Sequence, residues 1–95
     1  MTAYLIATFT VRDAERMDAY AAAAAPTLAA HGGEFVFEGH RAETLFGTWS
    51  TPGFALVRFP DMLSARAWYN SADYKALAGL RASAADMDIA LFDAA

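Results

Sequence analysis

The sequence predicts an α+β domain: one antiparallel sheet of four strands with its helices on a single face. Three observations predict it. Segments alternating apolar and polar residues at period two are interleaved with segments whose apolar residues recur at helical spacing. Their order along the chain is β-α-β-β-α-β, in which two crossovers return to the same side of a sheet. The chain has 95 residues, which suits one domain spanning residues 1–95, yet 57% of them are hydrophobic, more than one thin core needs.

Each element follows from local chemistry. "TAYLIATFTV" (Thr2 to Val11) is rich in β-branched and aromatic residues and reads as the first strand. Asp13 is the N-cap of a helix from Ala14 to His31, with Met17, Tyr20, Ala24 and Leu28 on one stripe. Pro26 lies inside that pattern and is expected to kink it, and Gly32 is expected to end it in the left-handed conformation. "EFVFEG" (Glu34 to Gly39) reads as the second strand, with "AETLFGTW" continuing it after a bend. "STPG" is a turn, and "FALVRF" (Phe54 to Phe59) is the third strand. Asp61 caps the second helix, and Ser71 caps a separate helix over "ADYKALAGLRA". "DMDIALFDA" (Asp86 to Ala94) is the last strand. This arrangement is the ferredoxin-like fold.

Side-chain parity carries the next inference. Leu5, Ala7 and Phe9 oppose Tyr4, Ile6 and Thr8, while Ala55, Val57 and Phe59 oppose Phe54 and Leu56. Met87, Ile89 and Leu91 oppose Ala90 and Phe92. Both faces are therefore apolar, and two helices cover only one. A second copy of the chain packed against the open sheet face is the economical cover, so a homodimer is expected.

Composition excludes several classes. The formal net charge of −4 argues against a nucleic-acid partner, and no apolar run is long enough to span a membrane. No cysteine is present, which removes disulfides and thiolate metal sites. The N-terminus lacks the basic region and cleavage pattern of a signal peptide, so a cytoplasmic location is expected.

The chemistry-bearing candidates cluster in "RAWYNSADYKALAGLR" (Arg66 to Arg81). Trp68 and Tyr74 are most simply core aromatics, and Asn70 and Ser71 a helix stop and start. Arg81 falls on an otherwise apolar stripe; it either pairs with Asp86 or Asp88, snorkels to water, or holds a ligand carboxylate. Tyr69 points away from the core face and can reach a pocket rim. Trp49, between a glycine and a turn, lines a cavity mouth or covers a core edge. His31 complements the helix end or acts as a base, and His40 sits in an exposed bend. No metal-ligand spacing, nucleotide-binding loop or nucleophile motif is present, so neither metal nor cofactor is expected. The expected ligand site comprises Trp49, Trp68, Tyr69 and Arg81, with His31, Tyr69 and Arg81 as candidate catalytic groups.

"AWYNSADYKALAGLR" resembles the signature of a family of domains of unknown function, DUF1330, whose members read close to "AWYNSPEYQ" followed by an arginine. "AHGGEF", "GTWSTPG" and "LVRFPD" resemble that family's helix end, tryptophan turn and third strand. The chain departs from the pattern at Ala72, where proline is common, at Gly53, where arginine is common, and at Arg58, where an acid is common. The resemblance implies a dimeric α/β barrel. Three functions stay open: binding of a small metabolite between sheet and helices, a cofactor-independent enzyme of the monooxygenase, isomerase or cyclase type, and an interaction module without a ligand.

Overall fold

A computed structural model of the chain describes residues 2–93. The elements run β1 (Ala3–Val11), α1 (Ala14–Ala29), β2 (Glu34–His40), β3 (Gly53–Phe59), α2 (Met62–Tyr69), α3 (Ala72–Lys75), α4 (Ala78–Ala84) and β4 (Ala85–Asp93). Ala94, the expected end of the last strand, lies outside the described residues. The strands form one sheet in the order β2-β3-β1-β4, antiparallel throughout. The fold is ferredoxin-like, and the sheet of a single chain is not closed into a barrel.

The expected helix starts are present with their hydrogen bonds. Asp13 accepts from the Arg16 N–H at 3.0 Å, Asp61 from the Ser64 N–H at 2.7 Å, and Ser71 from the Tyr74 N–H at 3.2 Å. The bond from Ser64 holds the Asp61 carboxyl below its usual range. Helix α1 runs through Pro26 and ends at Ala29, two residues before the expected His31, and Gly32 beyond it turns left-handed at φ +78°. The segment after Ser71 is two helices rather than one, because the chain breaks register at Ala76 and Leu77. The 3.6-residue period does not carry across that break. Ala78 is exposed, while Leu77 and Leu80 pack on the core.

The core lies between the helices and one sheet face: Ala3, Leu5, Ala7 and Phe9 from β1, Ala55, Val57 and Phe59 from β3, and Tyr20, Leu28, Ala65, Trp68 and Tyr74 from the helices. The parity assignment for β1, β3 and β4 holds residue by residue. Strand β2 departs from it. A bulge at Val36 places Phe35 opposite Val57 and Phe37 opposite Leu56, so the two phenylalanines face opposite sides of the sheet. The expected continuation of β2 through "AETLFGTW" does not form; residues 41–52 are a loop.

The molecule is a slab of 33 × 33 × 16 Å, thin enough for only two layers. Tyr4, Ile6, Phe54 and Leu56 are half-buried on the second sheet face, and Phe37 and Phe92 are exposed there. Among the described residues nothing covers that face. No helix is long and apolar enough to cross a membrane.

Candidate functional site

The helix side of the sheet holds two adjoining spaces. The first, about 60 Å³, lies between α1 and the sheet. Its walls are small on both sides: Ala21 and Ala24 from α1 face Ala7 and Ala55 from the strands. The second, about 180 Å³, is a groove between α2 and β4, with Arg66, Tyr69 and Asn70 at its polar end. Leu5, Trp68 and Ile89 line both. The Trp68 indole is the largest part of that shared wall, and its N–H donates to Thr27 Oγ1 at 3.0 Å, which fixes the ring. Thr27 Oγ1 in turn donates to the Ala24 carbonyl at 2.6 Å.

A chain of polar atoms runs behind the first space. Arg81 Nη1 donates to Tyr74 Oη at 2.9 Å, and Tyr74 Oη lies 2.6 Å from Tyr20 Oη. Tyr20 lines the space, and both rings are buried. Burial pushes the Tyr20 phenol well above its usual pKa, so it stays protonated. Burial works against the Arg81 charge, but the hydrogen bond to Tyr74 and the surrounding phenols outweigh it, and the Arg81 pKa is raised. The proton count is informative. Two phenol protons share one O···O contact, and only one can occupy it. Arg81 donates to Tyr74, which makes Tyr74 the better donor to Tyr20. With Tyr74 as that donor, the second proton, on Tyr20, has no acceptor among the described residues.

The sequence-predicted residues are thus divided. Trp68 and Tyr69 line the groove, and Arg81 stands behind the first space through Tyr74 and Tyr20. Trp49 is on the other side of the sheet, in the loop after β2, where it lines a cavity with the open-face residues Phe37 and Phe54. It shares no cavity with Trp68 because the sheet separates them. Arg81 pairs with a tyrosine rather than with Asp86 or Asp88; Asp86 pairs instead with Arg12 at 3.2 Å. His31 Nδ1 lies 3.1 Å from the Thr27 carbonyl, in the last turn of the helix region, and lines neither space. Among the described residues no three potential metal ligands cluster.

Sequence reasoning missed the Tyr20–Tyr74 pair, taking both as core aromatics. A signal was present: Tyr74 and Arg81 are seven residues apart, two helical turns, and tyrosine rather than phenylalanine occupies two buried positions. Departures from the family pattern also find reasons. Arg58 pairs with Glu34 across the β2–β3 ladder. A Cβ at Gly53 would run into the Phe9 ring, so any larger side chain there requires that ring to shift.

The family model for the domain of unknown function DUF1330 matches residues 2–95. The chain belongs to the DUF1330 family. No curated protein sequence matches it. Among solved structures, this DUF1330 chain is similar to the RPA0582 protein of unknown function from Rhodopseudomonas palustris, at 16% identity and TM-score 0.81, over 96% of this chain and 80% of that one. It is also similar to SnoaB, a cofactor-independent oxygenase from Streptomyces nogalater, at 18% identity and TM-score 0.72, over 99% and 93% of the two chains. A dimeric ferredoxin-like protein of unknown function from Jannaschia sp. CCS1 matches at 15% identity and TM-score 0.67, over 98% and 99%. These likenesses show the fold.

Proposed function

We propose that this DUF1330 protein is a homodimer that binds a small, mainly apolar molecule bearing one acceptor oxygen, taken between the helices and the sheet. The surplus phenol proton beside the alanine-walled space carries this reading. A buried O–H without an acceptor costs about 1–3 kcal/mol, and a ligand carbonyl or carboxylate would recover it. The space of about 60 Å³ holds only water as it stands. Joined to the groove of about 180 Å³ by movement of Trp68 or Ile89, it approaches the size of sites for small ligands, which begin near roughly 300 Å³. Arg66, Tyr69 and Asn70 stand at the mouth of the joined site. Homodimerisation through the open sheet face is supported by its uncovered aromatics and by the dimeric description of a structural neighbour.

The test is a thermal-shift and calorimetric series with benzoate, 2-hydroxyacetophenone and 1-naphthoate, with naphthalene as the control that lacks an acceptor. Ligands with an acceptor are expected to raise Tm and naphthalene is not. Tyr20→Phe is expected to weaken binding about tenfold, the worth of one buried hydrogen bond. No Tm shift with any acceptor ligand, or equal binding by Tyr20→Phe, would reject the reading.

The second reading, a cofactor-independent enzyme, is favoured by one observation. A phenol pair backed by a guanidinium can stabilise a developing oxyanion, as on an enolising ketone. Solvent-deuterium exchange into the α-carbon of 2-hydroxyacetophenone, lost in Tyr20→Phe, would separate turnover from binding alone.

A further inference from the structure

The loop between β2 and β3 is unusual for its composition. Leu45 is 89% exposed and Phe46 98% exposed, so the chain's own body covers neither. Loop tips are ordinarily polar, and two adjacent bare apolar side chains are costly in water. Nor is the loop loosely attached. The Arg41 N–H donates to the Pro52 carbonyl at 2.7 Å, and Arg41 Nη1 donates to the carbonyls of Trp49 at 3.0 Å and Thr51 at 2.9 Å. One arginine thereby closes the base of the loop with three bonds, and Gly47 turns its tip at φ +81°. The loop is held off the sheet, and between them lies a cavity of about 680 Å³.

We infer that the Leu45–Phe46 tip is a dimer arm: it buries against a second copy of this chain, whose side chains fill the cavity beneath the loop. The inference rests on the homodimer reading above and adds the element that completes it. Area favours this occupant. Four strands about 4.8 Å apart, seven to nine residues long at about 3.3 Å each, present a flat face of about 500 Å². Each partner of a stable dimer contributes about 800 Å². Added to that face, the loop tip and the walls of the cavity enlarge the apolar surface that two copies can bury between them. Continuity favours it too. Phe37 and Phe54, stacked at a centroid distance of 5.3 Å on the open face, also line the cavity, so sheet face and loop form one apolar surface. In a two-fold dimer each arm reaches the other subunit, and the contact is made twice.

The experiment is sedimentation equilibrium on the full chain, comparing wild type, Phe46→Asp, Leu45→Asp and Ile6→Asp, with circular dichroism as the check on folding. The tip residues make no contribution to the core of their own chain, so both tip variants are expected to fold. Each is expected to raise the dimer Kd by about tenfold or more, the effect of losing a buried aromatic or aliphatic anchor. Ile6→Asp, in the centre of the open face, is expected to dissociate the dimer as well. A monomeric wild type overturns both the dimer reading and the arm. A dimer broken by Ile6→Asp but untouched by either tip variant overturns the arm alone, leaving the tip to solvent, a membrane or another protein.

Discussion

The hydroxyl network gives the sharpest test, because its parts should not add. In the wild type, Arg81 donates to Tyr74, and Tyr74 and Tyr20 share one bond. Tyr20→Phe removes that shared bond and leaves Tyr74 with Arg81 as donor and one proton without an acceptor, as before. Its expected cost is about 1 kcal/mol, one neutral hydrogen bond. Tyr74→Phe is worse. It removes the shared bond and the charge-assisted bond from Arg81, and it strands the Tyr20 hydroxyl completely. The half-buried Arg81 can turn to water, but Tyr20, at 8% exposure, cannot. The expected cost is about 2–4 kcal/mol. In the double variant nothing is stranded at Tyr20, so adding Tyr20→Phe to Tyr74→Phe should be neutral or stabilising. Urea unfolding of the four proteins at pH 7 measures the cycle. If Tyr20→Phe costs the same in both backgrounds, the two phenols are not coupled, and the proton-count argument for a ligand acceptor fails with them.

The remaining predictions concern pH, packing and capping. The Tyr20 pKa is raised above its unfolded value of 10.0, so the folded state keeps a proton that the unfolded state loses. Stability should be at its full value below pH 10 and fall above it, by up to about 1.4 kcal/mol per pH unit, and Tyr20→Phe should flatten that slope in urea titrations from pH 8 to 11. Gly53→Ala places a Cβ against Phe9 and should destabilise by about 1–3 kcal/mol; an unchanged urea midpoint would mean the ring moves freely. Ser71→Ala removes the acceptor of the Tyr74 N–H and the donor to the Trp68 carbonyl, so a loss of about 1 kcal/mol is expected in the same assay.

What the sequence made legible was set by short-range physics. The three caps, Asp13, Asp61 and Ser71, depend on side chains three residues from the N–H they receive, so spacing alone reveals them. Strand parity is equally local, which is why β1, β3 and β4 were read correctly. Apart from the local helix break at Ala76 and Leu77, the failures involve partners distant in sequence. The bulge at Val36 appears only against β3, and it reverses Phe37. The loop from 41 to 52 fails to become a strand because Arg41 bonds its far end, not a neighbouring strand. Tyr20 and Tyr74 meet across 54 residues, and no periodicity within α1 announces that meeting. Trp49 and Trp68 belong together in the expected ligand site, and only the sheet between them shows that they serve different faces.

The alanines bear on the proposed second copy. Seven of the fifteen buried residues of the helix-facing core are alanine, Ala3, Ala7, Ala24, Ala55, Ala65, Ala84 and Ala85, and each of these buries little area. A second set of large apolar side chains, Tyr4, Ile6, Phe54, Leu56 and Phe92 with Phe37, is on the other face. A protomer of 10.2 kDa that leaves them wet is marginal, because small chains already bury the smallest share of their surface. Folding and association should therefore be linked, and melting should depend on concentration. A tenfold increase in protein adds about 1.4 kcal/mol per dimer, or about 0.7 kcal/mol per protomer, through mass action. For a chain of this length that raises Tm by about 3–6 °C. Differential scanning calorimetry from 10 to 100 μM would show that rise. A Tm that stays constant across the range, with reversible unfolding, would mean that the protomer is stable with its second face exposed.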